Sequence, residues 1–79
     1  MRLTELHADL QTLRDNIAAE LLAINRYEAQ AFSLADTHAQ EVVQRIADDK
    51  KEHVARRLDL LRRLDVKQRE KIERAGPAA

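Results

Sequence analysis

The chain has 79 residues, 35% of them charged, and its 14 basic side chains balance 14 acidic ones. It is shorter than the length at which one core easily offsets the ordering of the backbone, so we expect a single domain that needs partners. The charge balance argues against nucleic acid or a membrane as partner, and the lack of cysteine excludes disulfides and thiolate metal sites. The lack of an export leader or a long apolar run predicts a cytoplasmic protein.

The first predicted helix covers about residues 3–34. Its apolar side chains recur at alternating intervals of three and four, which places them on one face of a helix. They are Leu3, Leu6, Leu10, Leu13, Ile17, Ile24, Ala31 and Leu34. The same face carries two residues that are not aliphatic, Glu20 and Tyr27. Because an isolated helix of this length would expose its whole apolar face, we expect it to pack against another helix.

The second predicted helix covers about residues 38–64, after a turn near residues 35–37. Thr37, followed three residues later by Gln40, matches a capping box that would open this helix. Its apolar face is again interrupted by polar residues, here Lys50 and His53. A short, highly charged third helix is expected over about residues 66–74, with Asp65 as its cap.

These elements predict an all-α fold in which residues 1–75 form a long antiparallel helical hairpin with a short C-terminal helix, and residues 76–79 form a tail. Two copies would pair into a four-helix bundle, which buries the faces that one hairpin leaves open. The antiparallel arrangement brings Glu20 opposite residues 50–53. We therefore expect Glu20, Lys50 and His53 to meet at one level of the bundle.

Two segments resemble the metal-binding helices of ferritin-like proteins. Residues 20–27, Glu-Leu-Leu-Ala-Ile-Asn-Arg-Tyr, are similar to the first metal-binding segment of bacterioferritins and rubrerythrin-like proteins. Residues 48–53, Asp-Asp-Lys-Lys-Glu-His, resemble their Glu-x-x-His segment, but Lys50 stands in place of the ligand Glu. The two-helix layout and the interval from residue 20 to residue 50 are most similar to encapsulated ferritins.

The resemblance implies a non-haem iron-binding protein that oxidises Fe(II) with O2 at a site between subunits. It assigns Glu20 and His53 as metal ligands and places Tyr27 behind them, where it would take part in catalysis. It also implies a dimer or a ring of dimers, with an encapsulating shell protein as partner. Haem is not expected, because position 51, where bacterioferritins have a haem-ligating Met, is Lys.

Lys50 leaves two interpretations open. In the first, Glu20 and His53 bind metal, and Asp49 or Glu52 replaces the lost ligand. In the second, the protein is a metal-free assembly or interaction module, and the charge of Lys50 satisfies Glu20 in an ion pair that replaces the metal. Tyr27 can likewise be a core tyrosine that donates one hydrogen bond or a redox participant.

Overall fold

A computed structural model describes residues 2–76. Three helices follow one another in this range, α1 over Leu3–Ser33, α2 over Thr37–Leu64 and α3 over Val66–Ala75, and it contains no strand. The all-α prediction is therefore confirmed, and the helix ends lie within one residue of the expected positions. None of the three helices is long and apolar enough to cross a membrane.

The turn between α1 and α2 has a different cap from the one predicted. The N-cap of α2 is Asp36, whose carboxylate accepts a hydrogen bond from the backbone N–H of Ala39 at 2.7 Å. Thr37 is already the first helical residue, and the side-chain amide of Gln40 donates to the carbonyl of Leu34. The predicted Thr37–Gln40 capping box is wrong because the acidic residue immediately before it caps the helix instead.

The core of the hairpin is one seam between α1 and α2. Its buried residues recur about every seven positions, and they are Leu10, Ile17, Ile24 and Ala31 from α1 with Ala47, Val54 and Leu61 from α2. The described chain measures 50 × 35 × 14 Å, so it is a single layer of helices. A single layer buries only the surfaces between its own helices, and both broad faces of the hairpin remain open to partners.

The junction between α2 and α3 is organised by Asp65. Its carboxylate accepts a hydrogen bond from the backbone N–H of Gln68 at 3.1 Å, which caps α3, and another from Arg14 of α1 at 2.8 Å. The hydrogen bond from Gln68 and the Arg14 guanidinium hold the pKa of Asp65 below its usual value. Since α3 packs against α2 and not against α1, this residue ties the short helix to the hairpin.

Replacing Asp65 with Ala is expected to fray α3, because the substitution removes its cap and the link to Arg14 together. Amide hydrogen exchange should become faster across α3 while the middle of α1 and α2 is unchanged. Because the pKa of Asp65 is lowered on folding, its stabilisation is present above about pH 4 and lost as the pH falls through the folded value. Asp59→Ala is the matched control, since the ion pairs of Asp59 within residues 2–76 are with Arg62 and Arg63 of its own helix. Equal exchange in both variants would contradict this role.

Candidate functional site

A row of half-buried residues runs along one side of the core seam. Along α1 and its C-cap residue Leu34 it comprises residues spaced seven apart, namely Leu6, Leu13, Glu20, Tyr27 and Leu34. On α2 it comprises Val43, Lys50, Arg57 and Leu64, again spaced seven apart. The ends of the row are aliphatic and its middle is polar. A polar group at the centre of such a row loses part of its hydration and needs compensating partners.

The centre of this row is organised around the carboxylate of Glu20, whose side chain is 17% exposed. Its Oε1 atom lies 3.5 Å from Nζ of Lys50 and 3.6 Å from Nη1 of Arg57, and its Oε2 atom lies 3.6 Å from Nδ1 of His53. The predicted meeting of Glu20, Lys50 and His53 at one level is therefore confirmed. We call Glu20, Tyr27, Lys50, His53 and Arg57 the polar cluster.

The contacts of Glu20 are long. Hydrogen bonds between charged nitrogen and oxygen are usually about 2.7–2.9 Å, so these pairs attract through space with little direct bonding. Two buried atoms of the cluster, Oε2 of Glu20 and Nη1 of Arg57, have no hydrogen-bond partner within the described chain. One carboxylate faces Lys50 and Arg57 as well as an imidazole, which leaves the cluster with an excess of positive charge.

Tyr27 lies next to the cluster, one heptad after Glu20 along α1. The ammonium of Lys50 is 5.8 Å from the centroid of its ring, a distance at which the ring quadrupole attracts a cation. Lys50 thus contacts both a carboxylate and an aromatic face. These two contacts account for the position of Lys50 without a role in metal binding. The catalytic role of Tyr27 stays a prediction.

Asp49 lies four residues before His53 on the same side of α2, and its role as a ligand stays a prediction. Its side chain is exposed. Across residues 2–76, no group of three or more His, Asp or Glu side chains is placed to hold a metal ion. The donors of a single copy, one carboxylate and one imidazole beside two cations, do not fit a di-iron site, so its ligand set would need a second copy.

Arg57 is the member of the cluster whose role sequence reasoning missed. Its position four residues after His53 and seven after Lys50 places all three side chains on one side of α2. That spacing could have assigned Arg57 to the site from the sequence. It was not decisive, because basic residues are frequent in this helix and most of them are solvated. The structure distinguishes the two neighbouring arginines, because Arg57 is half-buried and faces Glu20 at 3.6 Å, whereas Arg56 is exposed and pairs with Glu52 at 3.0 Å.

Lys51 lies on the opposite side of the hairpin from the polar cluster. Its ammonium is 2.9 Å from Glu28 of α1 and 3.5 Å from Asp48. The hydrogen bond between Lys51 and Glu28 raises the pKa of the lysine and lowers the pKa of the carboxyl. Lys51 therefore joins α1 to α2.

Comparison with known proteins gives one informative similarity. The chain is 38% identical over 58 residues to "Encapsulin nanocompartment cargo protein EncC" of Myxococcus xanthus (strain DK1622). The matched region covers 73% of this chain but 45% of that protein, so the chain spans less than half of the relative's length. No protein-family profile matches the chain, and no solved structure matches it.

Proposed function

We propose that this chain is a cargo protein of an encapsulin shell, and that it acts there as a ferritin-like assembly module whose ion pair takes the place of a metal. The similarity to an encapsulin cargo protein supports the association with a shell. The observation that carries the metal-free part is the surroundings of Glu20, whose carboxylate lies within 3.6 Å of both Lys50 and Arg57. A divalent cation approaching Glu20 would meet two fixed positive charges.

The exposed side chains support assembly into a dimer. Apolar side chains flank the polar cluster on α2, where Val42, Ile46 and Leu60 are 40%, 37% and 45% exposed. A second hairpin laid over this side would bury them and would complete a four-helix bundle. The polar cluster would then lie between the subunits, where its charges would contribute more to the choice of pairing register than to net stability.

Association with a shell is tested by expressing the chain together with the encapsulin shell protein of its source organism. We expect the chain to sediment with assembled shells and to be protected from added protease until the shells are opened. An unrelated helical protein of similar mass, expressed in the same way, measures passive trapping. If the chain is trapped no better than this control, or if the source organism encodes no encapsulin, the proposal is wrong.

A second candidate function, Fe(II) oxidation at an inter-subunit site, is favoured by the contact of Glu20 with His53 at 3.6 Å. Two copies would contribute two carboxylates and two imidazoles, with Asp49 as a further ligand and Tyr27 behind them. Anaerobic loading with Fe(II), desalting and measurement of bound iron separate the two candidates. About one or two irons per dimer, oxidised rapidly in air, would establish this candidate, whereas the metal-free function predicts no retained iron.

A further inference from the structure

One side of α2 carries a stripe of residues whose spacing is symmetric about its central residue, His53. Starting from His53, the next members lie four, seven and eleven residues away in each direction. In chain order the stripe is Val42, Ile46, Asp49, His53, Arg57, Leu60 and Leu64. These spacings keep all seven side chains on one side of the helix. The residue types also correspond, because apolar positions mirror apolar positions and the acidic position mirrors the basic one.

We propose that a second copy of this chain packs on the stripe, antiparallel, with the two-fold axis passing at His53 of both copies. The inference rests on the dimer of the proposed function and specifies its register. A two-fold axis perpendicular to α2 places each residue opposite its mirror position. Asp49 of each copy then faces Arg57 of the other, which gives two symmetric ion pairs flanking the axis.

The side chains of the ion pairs are available for this contact. Asp49 is exposed, and the Arg57 side chain remains 33% exposed although it faces Glu20 at 3.6 Å. Nη1 of Arg57 is buried without a hydrogen-bond partner in the described chain, so Glu20 alone does not satisfy the guanidinium. Because that atom is buried within the hairpin, the exposed remainder of the guanidinium would donate to the carboxylate of the second copy, which would place Arg57 between Glu20 of its own chain and Asp49 of the second copy.

The apolar residues favour the same register. With the axis at His53, Ile46 packs on Leu60 of the second copy, and Val42 packs on Leu64. Sliding one helix by a heptad in either direction breaks this match, because Arg57 then faces either Val42 or a basic residue. A parallel arrangement would set Asp49 against Asp49 and Arg57 against Arg57, which are repulsive pairs.

The first test exchanges charges at the two mirror positions. Asp49→Arg and Arg57→Asp each place like charges opposite one another in a homodimer, so each dissociation constant should rise roughly a hundredfold. Mixing the two variants restores both attractive pairs, so a heterodimer should form where neither homodimer does. Asp48→Arg, the same change away from the stripe, should leave the dimer intact. Light scattering measures whether each variant is a monomer or a dimer, and circular dichroism shows that each variant is folded.

The second test does not depend on Arg57 and uses the fact that the chain has no cysteine. His53→Cys places the only two thiols of a dimer at the proposed axis, so mild oxidation should give a covalent dimer in high yield. Asp48→Cys, off the axis, should give little. A dimer that the charge exchanges do not affect and that His53→Cys does not cross-link would overturn this register but leave the dimer standing. A chain that is monomeric at high concentration would overturn the dimer as well.

Discussion

Lys50→Glu is expected to raise the affinity of the protein for Fe(II). The substitution completes a Glu-x-x-His pair on α2 and replaces a cation 3.5 Å from Glu20 with a carboxylate. Without metal, Glu20 would face a second acid, and the free energy of unfolding should fall by about 1–3 kcal/mol. Saturating Fe(II) should restore this loss, since a ligand at about a hundred times its dissociation constant stabilises by about 2.7 kcal/mol.

The measurement is bound iron after anaerobic loading and desalting, together with thermal unfolding with and without Fe(II). Lys50→Gln is the matched control, because it removes the same cation without supplying a ligand carboxylate. Iron retained by the Lys50→Glu variant alone would mean that the site is a ferritin-like site short of one ligand. Equal and negligible iron in both variants would contradict that view of the cluster.

Glu20→Gln is expected to destabilise the fold by about 2–3 kcal/mol, the second large effect. The amide keeps the shape of the side chain but leaves Lys50 and Arg57, both partly buried, without their counter-charge. Combining Glu20→Gln with Lys50→Gln should recover part of the loss, because the double variant no longer holds the uncompensated lysine. Urea unfolding at one fixed protein concentration measures all three variants, since dimerisation makes the stability depend on concentration.

Glu28→Gln provides the comparison for this effect. Glu28 also joins α1 to α2 through a lysine, Lys51, but that lysine is 50% exposed and water screens the pair. We therefore expect a much smaller loss from Glu28→Gln than from Glu20→Gln. Similar losses in the two variants would mean that Glu20 is solvated like an ordinary surface acid, and the cluster could not then be the organising feature of the site.

Much of the fold could be predicted from the sequence because helix formation here depends on local patterns. The alternation of three- and four-residue intervals continues through both long segments, and the lone Gly and Pro lie beyond the last helix, so the helix ends were predicted to within one residue. The capping interaction of α2 was the error. Both Asp36 and Thr37 are good capping residues, and their sequence order does not show which of them adopts the extended backbone.

The candidate site was predicted less completely. Antiparallel geometry alone predicted that Glu20, Lys50 and His53 lie at one level. In an antiparallel hairpin, two residues that are equally far from the turn, one on each helix, lie opposite each other. The contribution of Arg57 was missed, because its relevance depends on the direction of one long side chain. Asp49 was assigned to the ligands by spacing along α2, yet spacing does not show whether a side chain faces its own hairpin or a neighbouring molecule.

The sequence by itself determined the helices, the hairpin and the polar interruptions of its apolar faces, because each follows from periodicity and charge along one chain. The tertiary structure decided how those polar residues are used. It placed two cations and an imidazole around one carboxylate. These side chains meet only at a particular distance between the axes of α1 and α2 and a particular rotation of each helix about its axis. It also showed that the mirror-symmetric stripe of α2 lies on the open side of the hairpin, since only packing determines which faces one copy leaves for another.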